Sequence, residues 1–422
     1  MYERSVLSNG LRILTSTMPH TRSVSVGIFV GAGSRYEDDA NAGASHFLEH
    51  VLFKGTERRP EPQMISGAIE SVGGILNAST DREATIYYTK VARDHFGLAL
   101  DVLTDMLLHP LFAADEVERE RGVIIEELNM TYDQPDALAD LLIDEALWPG
   151  HPMGRDIGGS KESVGGLTRQ ALVDYYSKQY VPSNVVIAVA GNVEHDEVVG
   201  LLDEAMGSWQ GGQPIAWHPV NGESQGVTVS LGKKKTDQAH LCLALHGVSN
   251  THADRYAVDM LNTILGEGMT SRLFMEVRER RGLAYEIHSS SMHYRDTGAL
   301  VVYGGVELTK VEGAVQAVLG EFQRLRDEVP AEDLHRAIEF AVGRLDLRLE
   351  DSRAVMGWLG GQELLRASVK TPDEVVAELR AITPDRVRQA ANAYLDTANA
   401  KLSVVGPYRS DARFRKLLAG AA

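Results

Sequence analysis

"EATIYYTKVARDHFGLALDVLTDMLL" (83–108) and "TGALVVYGGVELTKVEGAVQAVLGEFQRL" (297–325) follow one plan: an apolar run that reads as a strand, then a stretch with helical periodicity. In the first copy the helix is stopped by Pro110. The correspondence extends outward in both directions. "SVSVGIFVGAG" (23–33) is mirrored by "HLCLALHGV" (240–248), and "VVIAVAGNV" (185–193) by "AKLSVVGPY" (400–408). An internal repeat of about 200 residues is the economical explanation. Each copy alternates strands and helices in an order that suits an α+β sandwich, a mostly antiparallel sheet with helices on one face. Between the copies runs "SWQGGQPIAWHPVNGESQG" (208–226), rich in Gly and Pro and without period. The expected organisation is a first domain over 1–212, a linker over 213–226 and a second domain over 227–422.

Composition narrows the function classes. The formal charge of −17 disfavours nucleic acid and anionic membrane as partners and is compatible with basic peptides. The single cysteine, Cys242, excludes an internal disulfide, and its apolar setting reads as a buried core thiol. No segment approaches the roughly 18 apolar residues that span a bilayer, and the N-terminus lacks a secretory pattern. A soluble cytoplasmic protein is expected.

The chemistry concentrates in "HFLEHVLFKGT" (46–56). On a helix, positions i, i+3 and i+4 share a face, so His46, Glu49 and His50 can converge while Phe47, Leu48, Val51 and Leu52 anchor the other sides. Two imidazoles at this spacing suit Zn²⁺, whose catalytic sites use three protein ligands and keep the fourth position for water. A neighbouring glutamate that is not a ligand is the general base expected in metal-assisted hydrolysis. The pattern His-x-x-Glu-His is the inverted form of the commoner His-Glu-x-x-His. The repeat supplies an internal control. "LEHVLFKG" (48–55) lies over "LNTILGEG" (261–268), so His46, Glu49 and His50 correspond to Asp259, Asn262 and Thr263. The apolar frame survives in the second copy and the chemistry does not.

A third ligand must come from elsewhere, and "EVERERGVIIEELNM" (116–130) offers Glu116, Glu118, Glu120, Glu126 and Glu127 on a helical pattern. Glu120 and Glu127 lie on one side two turns apart, with Val123 and Ile124 expected between them as a buried floor. Most of the other acids read as a solvated face paired with Arg119 and Arg121. Aligning 113–126 with 330–343 places Ala337 opposite Glu120 and Arg344 opposite Glu127, so both acids are missing from the copy that lost the histidines.

These segments together resemble the pitrilysin (insulinase) family of zinc peptidases, in particular its short members of the mitochondrial processing peptidase type. "SNGLRIL" (8–14), "VGAGSRYED" (30–38), "HFLEHVLFKGT", "LNASTDREATIYY" (76–88) and "ERERGVIIEEL" (118–128) match in the family's order over essentially the whole chain. The resemblance implies His46, His50 and Glu127 as zinc ligands, with Glu127 lying 77 residues after His50. It implies Glu49 as general base on zinc-bound water and Glu120 as a supporting residue of the site. It also implies that Asn77, Ala78 and Ser79 make the closest approach to a substrate bound in extended form, by strand addition. "VRERRGLAY" (277–285) resembles the family's Arg and Tyr pair, matching at Arg278 and Tyr285, which would hold substrate and stabilise the developing oxyanion. Arg278 read alone fits equally a surface cluster with Arg280 and Arg281. Long members carry that pair in the opposite half of the chain and short members on a separate subunit. A homodimer enclosing a chamber is therefore expected, with a heterodimer as alternative. The implied activity is a zinc endopeptidase acting on short or unfolded peptides; the competing class is a non-catalytic scaffold or the inactive half of a processing heterodimer. Manganese or cobalt could occupy the same ligand set.

Overall fold

The structure is a computed structural model and describes residues 2–222 and 225–420. Residues 223 and 224 of the expected linker, and residues 1, 421 and 422 of the expected domains, lie outside the described residues. Two sheets carry the fold. The first contains β1 (Glu3–Val6), β2 (Arg12–Thr17), β3 (Ser23–Val30), β4 (Ile75–Thr80), β5 (Thr85–Ala92) and β6 (Val185–Gly191), in the order β1-β2-β6-β3-β5-β4. The second contains β7 (Thr228–Lys233), β8 (Gln238–His246), β9 (Ala284–His293), β10 (Gly298–Glu307) and β11 (Lys401–Gly406), in the order β7-β11-β8-β10-β9. Apart from β1, the two orders are the same topology written twice. Even the exception to antiparallel pairing repeats: β2 and β6 are parallel, and so are β7 and β11. The duplication read from sequence is thus a duplication of topology, in a mixed α/β fold.

The chain forms two compact units, each discontinuous in sequence. The first comprises 1–128, 156–218 and 345–371; the second comprises 129–155, 219–344 and 372–422. The contiguous halves 1–212 and 227–422 therefore differ from these units by a reciprocal exchange. Helix Pro135–Leu147 belongs to the first copy in sequence but packs on β7, β8 and β11. Helix Ser352–Arg366 belongs to the second copy but packs on β2, β3 and β6.

That exchange corrects the expectation of helices on one face. β6 is buried at every position. Val185, Ile187 and Val189 enter one apolar cluster, while Val186, Ala188 and Ala190 enter another with Met356, Leu359 and Leu364 of the exchanged helix. The unbroken run "VVIAVAG" is the signature of a strand buried on both sides. The helix can lie this close because Gly360 faces the Phe29 ring, where an added Cβ would come within 2.1 Å, and Gly27 faces Met356 Sδ at 2.2 Å on the same construction.

On the first face, helix Ala44–Val51 lies against β4 and β5. It buries Ala44, Ser45, Phe47, Leu48 and Val51. Burial of each large apolar side chain contributes about 1.5–3 kcal/mol. The three remaining positions, 46, 49 and 50, are left half-buried on one side.

Candidate metal centre

Helix Ala44–Val51 presents the two imidazoles with Nε2 atoms 3.3 Å apart and rings in an edge-on arrangement. Helix Ala114–Asp133 brings in the carboxylate: Glu127 Oε2 is 3.7 Å from His46 Nε2 and 3.5 Å from His50 Nε2. Among the described residues this trio is the only group of three or more His, Cys, Asp or Glu whose ligand atoms all lie within 4.8 Å of one another. Tetrahedral coordination with metal–ligand bonds of about 2.0–2.1 Å separates its donors by roughly 3.3–3.4 Å. The triangle found here, with sides from 3.3 to 3.7 Å, fits such a cation with little adjustment.

The surroundings prepare the donors. His50 Nδ1 lies 3.1 Å from Glu120 Oε2, and Glu120 is 3% exposed. A carboxylate facing Nδ1 accepts the ring hydrogen there, which in a neutral imidazole leaves Nε2 bare toward the triangle. Lys54 Nζ holds the other oxygen of Glu120 at 2.7 Å. His46 is pushed down to about 4, first by burial and then by the charge of His50, so its ring is neutral at pH 7. Its Nδ1 is buried without a hydrogen-bond partner among the described residues, close to Gly158. Burial holds the Glu49 carboxyl above the usual carboxylate range; contacts with Thr80 and the charge of His50 pull it back, while Glu127 adds to the rise.

Thr80 is the last residue of β4, and β4 is the edge of its sheet. The helix motif and the edge strand thus meet at the Glu49–Thr80 contact. Asn77, Ala78 and Ser79 lie on β4 opposite Tyr88, Tyr87 and Ile86, with the Ala78 N–H donated to Asn77 Oδ1 at 2.8 Å. Arg278 and Tyr285 come together in the other compact unit, the guanidinium 5.2 Å from the Tyr285 ring centre and 4.7 Å from that of Phe274. Arg278 lies in a π-helical stretch, Phe274–Arg280. Arg280 and Arg281 pair with Glu276 instead, so Arg278 is not simply a member of that cluster. Tyr285 is 75% exposed.

One detail of the sequence reading is corrected. Ile124 is buried beneath the acidic helix, but Val123 is 41% exposed; the buried stripe runs through Val117, Glu120, Ile124 and Leu128. As expected, Glu116 and Glu118 pair with Arg119 and Arg121. Sequence reasoning missed Thr80 and Lys54, although both sit in stretches it singled out. Lys54 comes four residues after the second histidine, just past the end of the helix, and that spacing was the available signal.

Residues 12–161 match the family described as Insulinase (Peptidase family M16), and residues 166–340 match the Peptidase M16 inactive domain. An uncharacterized zinc protease of Streptomyces coelicolor is 38% identical over 96% of this chain and 90% of that protein. This chain belongs to peptidase family M16, the pitrilysin/insulinase family. A second relative, an uncharacterized zinc protease of Bacillus subtilis, is 36% identical over 96% of this chain and 98% of its own length. In fold, the chain is similar to a protease from Helicobacter pylori, with a TM-score of 0.91, 22% identity and coverage of 96% and 99%. The match to the M16 inactive domain begins within the first copy and runs to 340, so it includes Asp259, Asn262 and Thr263, the counterparts of His46, Glu49 and His50. Among the described residues no helix is long and apolar enough to cross a membrane.

Proposed function

We propose that this M16 chain is a zinc-dependent endopeptidase acting on short or unfolded peptides. In this reading the zinc site is carried by the first copy, 1–212, and the second copy, 227–422, is its degenerate repeat. The observation that carries the proposal is the convergence of His46, His50 and Glu127 in one donor triangle beside a glutamate that touches the end of an edge strand. Zinc held by the two Nε2 atoms and the Glu127 carboxylate would polarise the scissile carbonyl and acidify a water. Glu49 accepts the proton of the attacking water at its carboxylate, and its raised affinity for a proton suits that role. The same carboxyl can then return the proton to the departing amide nitrogen. Glu120 and Lys54 keep His50 oriented through Nδ1. An extended peptide adds to β4 by backbone hydrogen bonds, with Asn77 Oδ1 yielding the Ala78 N–H to the incoming strand. Backbone pairing of this kind is indifferent to side-chain sequence, which favours a broad substrate range.

Arg278 and Tyr285 act on the substrate carbonyl of a partner protomer in this proposal, within a homodimeric chamber that excludes folded proteins. The cation–ring stack holds the guanidinium beside an exposed phenol. The test of the chemistry is metal analysis of the purified protein together with cleavage of a fluorogenic peptide library. About one zinc per chain is expected, as for a three-ligand catalytic site. A protein that binds no divalent metal and cleaves no peptide ends the proposal. The shared site is tested separately, by mixing an Arg278→Ala protein with a His46→Ala protein; activity above either alone is expected, and none sinks the trans arrangement.

A further inference from the structure

The helix that carries both histidines begins without a cap of its own. Its N-cap is Gly43, at φ 93°, with no side chain to offer its first-turn amides. Helix starts leave such N–H groups without intrahelical partners, and side-chain acceptors normally take them. Here the acceptor comes from seven residues before the helix. Glu37 receives the Gly43 N–H at Oε2, 2.8 Å, and the Ser45 N–H at Oε1, 2.7 Å. Glu37 is fully buried. The next residue after Ser45 is His46. Ser45 is pinned a second time, its hydroxyl 2.9 Å from the Tyr175 phenol.

We infer that Glu37 is a positioning residue for the metal centre. Its bidentate grip fixes the first turn of helix Ala44–Val51, and so the rotation that points His46 and His50 at Glu127. The second copy argues that this grip belongs to the site rather than to the fold. There the equivalent helix, Arg255–Gly266, starts at Asp254 with no side-chain cap. The Asp254 carboxylate is engaged by Arg386 and the Tyr394 hydroxyl. The copy that lacks the two motif histidines builds the equivalent helix and sheet without the clamp. An anionic carboxylate at a helix N-terminus is also favoured by the aligned peptide dipoles.

This inference rests on the proposed metal site, so the experiment separates the two. Zinc affinity of the full-length protein is measured by chelator competition for wild type, Glu37→Gln and Glu37→Asp, with circular dichroism and gel filtration as checks on folding. Glutamine presents an NH₂ where an N–H must be accepted; aspartate keeps the charge but is too short to reach both amides. Glu37→Gln is expected to bind zinc about 10- to 100-fold more weakly, the range for groups that orient metal ligands, and Glu37→Asp less severely. At saturating zinc both should keep the wild-type KM for peptide. Wild type that binds no zinc overturns the metal reading. Wild type that binds zinc beside a folded Glu37 variant with affinity within twofold overturns the clamp alone. If neither variant folds, Glu37 serves the fold as a whole and the clamp is again overturned.

Discussion

The two copies place equivalent residues at equivalent points and use them in opposite ways. An offset of 213 carries His46, Glu49, His50 and Thr80 onto Asp259, Asn262, Thr263 and His293. In the second copy these polar groups bond to one another and to near neighbours. His293 Nε2 lies 2.8 Å from Asp259 Oδ1, the Ser291 hydroxyl donates to the same oxygen, and Asn262 donates to Glu267 at 2.7 Å. In the first copy the ring nitrogens and the Glu127 carboxylate face one another across a gap of metal-ligand dimensions. A binding site is a place where donors are held together without satisfying each other. In the second copy Asp259, Asn262 and Thr263 take hydrogen bonds among close neighbours, whereas in the first the two ring nitrogens and a carboxylate oxygen converge on one point.

The strongest way to break that contrast is Glu49→Gln. The amide keeps the shape and the Thr80 contact but cannot accept the proton, so turnover should fall by about 10²- to 10⁴-fold while zinc content stays at the wild-type value. A variant that retains activity moves the base elsewhere. Next in size is Glu120→Gln. Its removal frees the Nδ1 end of His50 and leaves Lys54 without its 2.7 Å partner. Zinc affinity should drop about 10- to 100-fold, read by chelator competition. An unchanged affinity would mean that the orientation of His50 is set by packing alone.

How much of this was legible follows from which interactions are local. The motif helix was readable because i, i+3, i+4 spacing fixes a face whatever the tertiary fold. The edge position of β4 and the place of Glu127 beside the two histidines came through the resemblance and the repeat, since nothing within 76–88 or 116–130 alone states what lies across from it. The exchange of helices 135–147 and 352–366 left only indirect traces. β6 is apolar on both faces, which demands a second cover, yet no local rule says that the cover comes from 160 residues further on. Val123 was misplaced because 120, 123, 124 and 127 share a broad face, and a heptad-like count cannot tell its rim from its centre.

The exchanged helix gives a smaller test within one element. Gly360→Ala drives a Cβ into the Phe29 ring and should cost about 1–3 kcal/mol by overpacking. Gly357, in the same helix, has open space around the added atom, and Gly357→Ala should stabilise by up to about 1 kcal/mol. Thermal unfolding of the two proteins should therefore shift in opposite directions. Shifts of the same sign would mean that the helix does not sit against β3 in solution.

The smallest expected effect reaches the second copy itself. Burial raises the Asp259 carboxyl, but the His293 hydrogen bond and charge, Arg255 and the Ser291 hydroxyl outweigh it, leaving the group below its usual range. A carboxylate depressed in the folded state contributes stability above its unfolded value near 3.9, and loses it as the pH falls through the folded value. Asp259→Asn should therefore cost roughly 1–2 kcal/mol at pH 7, the scale of a hydrogen bond to a charged group discounted for partial exposure. The deficit should begin to shrink in urea titrations as the pH falls below about 4 and close only at the lower pH where the folded wild-type carboxylate takes up its proton. Glu267, whose carboxyl is pushed up by burial and also by the charge of Asp259, loses that second push in Asp259→Asn, which offsets part of the deficit. Zinc affinity should not move at all, because Asp259 has no share in the donor triangle. A change in metal binding on Asp259→Asn would show that the two copies are coupled, and that the degenerate one still serves the site it lost.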